Sequence, residues 1–346
     1  MIVLRALQLP DDYPALARLL NEYWSEPTTA EKLEEEDGKL YKVGKTSLNE
    51  EGRLIGYDRE RQVAVNERGE IVGYVWSWRA PWTEPGYLNN TLVVAPAHRG
   101  QGIGDRLLRH IADWASRLQA SDLITEVWDD DPAALRFAER RGFAVERHSF
   151  QSVLSLEDES VAVRLAHTDV VREVEASGIR FLTLADEPGE ANERKLYDMY
   201  VATLRDIPGF LGDVPGYGEW RKWYLYPEGD KPDMVLIAAE GDRYVGVANL
   251  IQNRQTGAVY HEYTAVSAAY RGRRIAMALK LLAIQKAIDC GAPYIRTDND
   301  SLNAPMLGIN RKLGYEPLRG RYRIVATLVQ VQRALSAVTS LQSKEM

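Results

Sequence analysis

The chain has a single cysteine, Cys290, in 346 residues. No intrachain disulfide can form, so a secreted scaffold stapled by disulfides is excluded. No apolar run approaches the roughly 18 residues that a membrane span requires. The N-terminal stretch MIVLRALQLPDDY is broken at Arg5 and acidic by Asp11. It lacks the basic start and long apolar core of a signal peptide. These absences lead to the expectation of a soluble, cytoplasmic protein with no membrane partner. Positive charge is also short: 43 Lys and Arg stand against 50 Asp and Glu, a net charge of -7. Non-specific nucleic-acid binding needs a basic face that releases phosphate counterions, so no nucleic-acid partner is expected. The five histidines and one cysteine form no cluster with metal-ligand spacing, so no metal is expected. Hydrophobic residues, at 45%, are plentiful enough to build a core and exclude a disordered chain. The length suits two domains at roughly 100–200 residues each.

The most informative pattern is internal repetition. Thr91–Phe143 matches Tyr263–Tyr315 without a gap. Val94 and Val266, Arg99 and Arg271, Ile103 and Ile275, Thr125 and Thr297, and Gly142 and Gly314 are each 172 positions apart. Upstream, Val72-Gly73 matches Val245-Gly246 at an offset of 173. This is a duplicated domain. Each copy opens with a hairpin, Gln62–Val65 with Ile71–Trp76 and Met234–Ala239 with Arg243–Asn249. An apolar strand follows, Asn90–Val94 or Glu262–Val266. Then come a Gly- or Arg-rich turn and a helix of about 15 residues, with Ile103, Leu107, Leu108, Ile111 and Ala115 on one face in the first copy. A strand (Leu123–Trp128 or Tyr294–Thr297) and a second helix lead to Gly142 or Gly314, each placed like a helix C-cap. A last strand is expected near Glu146–Leu156 and Tyr322–Val329, and upstream helices at Tyr13–Trp24 and Asn192–Leu204. Strands alternating with helices give an α/β (α+β) fold of two domains, each a mixed, largely antiparallel twisted sheet flanked by helices. The expected division is residues 1–156, a linker at 157–177, residues 178–335, and a tail at 336–346.

Arg99-Gly100-Gln101-Gly102-Ile103-Gly104 lies between a strand and a helix start. Such a loop is an anion cradle. Glycines let backbone approach a ligand, the first helical N–H groups are unpaired, and the helix dipole favours a phosphate. A P-loop would need Gly-Lys-Ser/Thr, which is missing. A dinucleotide fingerprint would need G-x-G-x-x-G early in a βαβ unit, whereas this loop is G-x-G-x-G after a hairpin. The strand ending Leu92-Val93-Val94, the Arg99-x-x-Gly102-x-Gly104 loop, and the Gly142-Phe143 ending resemble the GNAT acetyltransferases. The second copy gives Arg271-Gly272-Arg273-Arg274-Ile275-Ala276, then Asn303 and Gly314-Tyr315. The chain thus resembles a tandem GNAT protein.

The resemblance implies acetyl-CoA as acetyl donor, with its pyrophosphate on the loop amides (99–104, 271–276) and its pantetheine against strand backbone at Val93, Val94 and Val266. It implies direct attack by an amine, without an acyl-enzyme and without a metal. The two copies depart from the family pattern in different places. The usual Asn after the next strand is Asp131 in copy one and Asn303 in copy two. The usual Tyr general acid is replaced by Ala138 and by Asn310. Arg274 stands where the second loop glycine is expected, and a residue with helical φ could still offer its N–H there. A carboxylate must take a proton from an ammonium acceptor before attack. Glu262, on the strand before the second loop, fits that task, and its counterpart Asn90 cannot. Copy two is therefore expected to carry catalysis, and the opposite assignment stays open because copy one has the better loop. An acyl-CoA-binding protein without catalysis is the alternative reading. The acceptor is expected to be a small-molecule amine and the protein a monomer or weak dimer. Asn303 has an equally good reading as a helix cap. His98 and His110 read as solvated, His261 as a satisfied strand histidine, Cys290 as a helix-end residue, and Glu31–Asp37 as a solvated helix face. The aromatic groups Trp76, Trp78, Trp82, Tyr87 and Trp220, Trp223, Tyr224, Tyr226 read first as packing and second as walls of an acceptor site.

Overall fold

The computed structural model describes residues 2–42, 44–48, 50, 54–157, 169–207, 210, 212–227, 229 and 231–342. Residues 158–168 of the expected linker and 343–346 of the expected tail lie outside the described residues.

The first copy runs β1 (Val3–Ala6), α1 (Tyr13–Asn21), α2 (Ala30–Gly38), the small hairpin β2 (Ser47–Leu48) and β3 (Leu54–Ile55), β4 (Asp58–Val65), β5 (Ile71–Arg79), β6 (Tyr87–Val94), α3 (Ile103–Arg117), β7 (Asp122–Trp128), α4 (Pro132–Glu139) and β8 (Ala144–Ser155). The second runs α5 (Val170–Ala176), β9 (Arg180–Thr183), α6 (Glu190–Leu204), α7 (Tyr217–Trp220), β10 (Val235–Glu240), β11 (Arg243–Gln252), β12 (Val259–Val266), α8 (Ile275–Asp289), β13 (Tyr294–Asp300), α9 (Ala304–Leu313) and β14 (Glu316–Thr327). A terminal helix, α10 (Leu328–Gln342), follows. The expected α/β fold with helix-flanked, largely antiparallel sheets is what the structure shows.

Two compact units result, and neither is contiguous in sequence. One comprises residues 1–148, 211–213 and 321–346; the other comprises 149–210 and 214–320. The sheet of unit one orders β1-β4-β5-β6-β7-β14, and that of unit two β9-β10-β11-β12-β13-β8. Each is antiparallel apart from one parallel pair, β6 with β7 and β12 with β13. The last strand of each copy therefore completes the other unit's sheet: Arg321–Thr327 pairs with β7, and Ser149–Ser155 pairs with β13. The duplication and the compact units divide the chain differently. In sequence a copy ends with its own last strand, whereas in space that strand is exchanged.

Helix α3 forms because its apolar residues recur at helical spacing. Ile103, Leu107 and Ile111 are completely buried against the sheet of unit one. Burying each is worth about 1.5–3 kcal/mol. Val331 and Leu335 of α10 join the same core. The last strand thus starts earlier than the sequence suggests, at Glu316, and Leu328-Val329 already belong to α10. Helix α1 stops at Asn21, three residues short of the expected Trp24. Asp37 is not part of a solvated face. It accepts two hydrogen bonds from Arg61, both 2.6 Å, and one from the Tyr13 hydroxyl at 2.8 Å.

Candidate active site

In unit one, β6 ends at Val94 and the chain turns into α3 through Arg99–Gly102. Gly100 and Gly102 sit at φ +76° and +75°, a left-handed conformation that glycine adopts without steric cost. Gly102 caps α3, and the first helical bond runs from the Arg106 N–H to the Gly102 carbonyl at 3.1 Å. The N–H groups of Ile103, Gly104 and Asp105 precede that ladder and have no helical acceptor. Arg99 does not reach outward. Its Nε donates to the Val94 carbonyl at 3.2 Å, and its guanidinium pairs with Asp131 at 2.8 Å. The arginine fastens the loop to the strand end. Gly104 is small for a reason: a Cβ there would lie 2.9 Å from the Phe137 ring.

Strands β6 and β7 pair over Tyr87–Asn90 and Asp122–Thr125 only, then diverge. Asn90 sits at the point of divergence, donating from Nδ2 to the carbonyls of Leu88 (2.8 Å) and Ile124 (3.0 Å). The wedge opened beyond it is a cavity of about 380 Å³. Val93, Val94, Leu108, Phe137 and Ala138 give it apolar walls, and the loop closes its end with Arg99, Gly100 and Gly102–Asp105. His98 lines it too, so this histidine is not simply solvated. Gln101 does not line it. A second cavity of about 440 Å³ shares the walls Tyr23, Asn90, Leu92, Thr125 and Glu126, so the two adjoin. Trp24, Trp78 and Trp128 face this second space. Tyr23 and Glu126 are the two titratable side chains that border both cavities. The Glu126 carboxylate pairs with Arg321 at 3.1 Å.

Unit two repeats the backbone and changes the chemistry. Gly272 has φ +77°, and Arg274 takes the left-handed place of Gly102 with φ +64° and ψ +8°. The helical φ expected for Arg274 is therefore corrected. The loop follows the same path with an arginine in the glycine's place, at a cost of roughly 1–2 kcal/mol. Arg271 repeats the bond of Arg99, donating to the Val266 carbonyl at 3.1 Å. Arg271, Arg273 and Arg274 pair with Asp206, Glu240 and Glu173 respectively.

The counterparts of the unit-one cleft residues Leu108, Val127, Ala138 and Phe143 are Lys280, Asn299, Asn310 and Tyr315. All four are buried. Asn310 donates to Asn299 at 2.6 Å, and Asn299 to the Ser152 hydroxyl at 2.8 Å. The Lys280 amine lies 5.1 Å from the centre of the Tyr315 ring, and desolvation pushes its pKa down to about 7. His261 is buried with its Nε2 2.6 Å from the Thr264 hydroxyl, and burial holds its pKa well below the usual range. Where unit one has an apolar cleft, unit two has a polar network.

Glu262 borders a separate pocket of about 190 Å³ whose walls include Tyr200, Trp220, Tyr224 and Tyr263. Desolvation, reinforced by the charge of Asp298, raises its pKa to about 7. The second reading of the aromatic groups, as pocket walls, thus describes Trp78, Trp220 and Tyr224. Asn303 accepts from the Met306 N–H at 3.3 Å and Asp131 from the Ala134 N–H at 2.9 Å. Both residues are helix caps in the structure. Cys290 is the C-cap of α8. Glu126 was not singled out in the sequence. The one signal for it is Asp298, the acidic residue 172 positions on.

A model of the acetyltransferase (GNAT) family matches residues 13–143 and again residues 193–315. The chain belongs to the GNAT family, twice over. It is 36% identical over 87 residues to streptothricin acetyltransferase of Streptomyces lavendulae, covering 25% of the chain and 46% of that relative. It is 38% identical over 92 residues to N-alpha-acetyltransferase RimI of Mycobacterium tuberculosis, covering 26% of the chain and 56% of that relative. The chain thus spans about half the length of the curated relatives it matches. A tandem GNAT protein from the clavulanic acid biosynthesis pathway has the same fold, with a TM-score of 0.68 at 16% identity over 95% of this chain and 99% of that one. The fold of both halves is therefore that of a tandem GNAT protein. Among the described residues, no helix is long and apolar enough to cross a membrane, and no group of three or more His, Cys, Asp or Glu could hold a metal ion.

Proposed function

We propose that the chain is an acetyl-CoA-dependent N-acetyltransferase for a small-molecule amine, and that transfer takes place in unit one. The observation that carries this reading is the pair of adjoining cavities, one ending at a glycine-rich helix start and the other lined by indoles, with Glu126 bordering both. Acetyl-CoA fits the first. Ile103, Gly104 and Asp105 offer N–H groups for its pyrophosphate, the diverged edge of β6 at Val93 and Val94 offers backbone for its pantetheine, and the walls are apolar. When bound it supplies a thioester as acetyl donor. The chain's own part is to orient and to move protons. Glu126 takes the proton from an incoming ammonium, the freed amine forms the N–C bond as the C–S bond breaks, and the nitrogen gives up a second proton as it becomes the amide. The thiolate leaves and is reprotonated. With Ala138 in the usual place of the Tyr acid, Tyr23 is the hydroxyl at the junction able to return that proton. Both curated relatives carry acetyltransferase names, and a space of about 440 Å³ suits a small acceptor.

Glu126→Gln is expected to lower kcat roughly 10²- to 10⁴-fold while acetyl-CoA still binds. An unchanged kcat removes Glu126 from this role. A second reading places transfer in unit two with Glu262 as base. It is favoured by the pKa of about 7 that Glu262 has in its aromatic pocket, suited to a base at neutral pH. Loss of turnover in Glu262→Gln, with Glu126→Gln active, supports that reading instead. A chain that binds acetyl-CoA tightly and acetylates no amine would be the non-catalytic binding protein.

A further inference from the structure

The second cavity of unit one holds charges in opposed pairs. Glu126 and Trp128 of β7 and Arg321 and Arg323 of β14 all border it. In the antiparallel register Glu126 faces Arg323 and Trp128 faces Arg321. Arg323 is drawn off to Glu84, at 2.9 Å, and to Glu146, at 2.8 Å. Glu126 instead pairs with Arg321 on the diagonal, and the Arg321 guanidinium lies 5.5 Å from the centre of the Trp128 ring.

The Glu126–Arg321 pair is open to solvent, with the two side chains 48% and 30% exposed. An exposed pair of this kind contributes little to stability, so a ligand can part it at small cost. What replaces it best is a molecule that returns one charge to each partner. From this geometry we propose that the acceptor is a zwitterion of the α-amino-acid type, with an amine and a carboxylate a few atoms apart and an apolar side chain. The ammonium meets Glu126, which then takes its proton; the carboxylate meets the Arg321 fork, which suits it in two-point contact. The side chain lies against the indoles of Trp24, Trp78 and Trp128. Acetylation turns the amine into a neutral amide. The product keeps the carboxylate and loses its partner at Glu126, so the Glu126–Arg321 pair re-forms and the product leaves. Because Arg321 comes from the last strand of the chain, residues 1–156 alone lack half of this recognition.

The inference rests on transfer in unit one. Its test uses the full chain, acetyl-CoA and matched acceptors that differ only in the carboxylate, such as phenylalanine with phenethylamine and leucine with isoamylamine, followed by release of free CoA. The amino acids are expected to exceed the plain amines by at least tenfold in kcat/KM. Arg321→Met is expected to cost the amino acids roughly 10- to 100-fold more in kcat/KM than it costs the amines, with partial recovery in Arg321→Lys. Plain amines turned over as well as the amino acids, or an Arg321→Met loss equal for both, overturn the zwitterion proposal and leave transfer in unit one standing. Turnover that survives Glu126→Gln and is lost in Glu262→Gln overturns the placement in unit one, and the zwitterion proposal with it.

Discussion

Replacing Lys280 with methionine asks whether unit two really buries an amine where unit one has an apolar cleft. The lysine is 1% exposed, stands in the place of Leu108, and has its pKa lowered from 10.5 to about 7 by desolvation. That drop corresponds to about 5 kcal/mol of lost preference for the charged form. Between about pH 7 and pH 10.5 the folded chain binds fewer protons at this site than the unfolded chain, so stability rises with pH through that window. From pH 7 to pH 9 the site should add about 2 kcal/mol. Methionine keeps the unbranched shape and carries no charge. The variant should be more stable than wild type at pH 7, and its advantage should shrink by about 2 kcal/mol by pH 9. Glu262, whose raised pKa acts below about pH 7, is common to both proteins and cancels in the difference. Parallel urea unfolding at pH 7, 8 and 9, followed by circular dichroism, gives the comparison. A difference that does not change with pH would mean that the Lys280 amine is solvated or matched by a counter-charge and is not desolvated.

Other consequences can be measured in the same proteins. Arg274→Gly should raise the stability of unit two by about 1 kcal/mol by relieving a left-handed arginine, less what the pair with Glu173 contributes. A thermal midpoint at or below that of wild type would show that the pair outweighs the strain. Gly104→Ala should destabilise unit one by about 1–3 kcal/mol, because its Cβ meets the Phe137 ring. Adding Phe137→Ile should recover part of the loss, since unit two carries Ala276 and Ile309 at the same two places. Strictly additive losses would show that the contact is not the cause.

The duplication was legible because it is written in side chains at one offset, and the strand–loop–helix around Arg99–Gly104 followed from it. The strand exchange was not. Neither last strand carries a local signal for its partner, and the choice is made by tertiary pairing. Arg274 could not be read as left-handed because arginine seldom takes that conformation; only the survival of the glycine-loop path reveals it. Asn303 and Asp131 show a limit of motif reasoning, since a residue in a ligand-binding pattern can equally cap a helix. Glu126 carries no mark in the sequence, because its place depends on where two cavities meet. The filled cleft of unit two lay in view as Leu108 against Lys280 and Ala138 against Asn310, yet its meaning needs the burial of Lys280, Asn299, Asn310 and Tyr315.

Everything proposed for transfer depends on unit one holding the acetyl donor. A crystal structure of the full chain soaked with acetyl-CoA tests it most directly. One molecule per chain is expected, with its pyrophosphate on the N–H groups of Ile103–Asp105 and its acetyl group beside Glu126. A molecule seated at Arg271–Ala276 with the Arg99–Gly104 loop empty would contradict it.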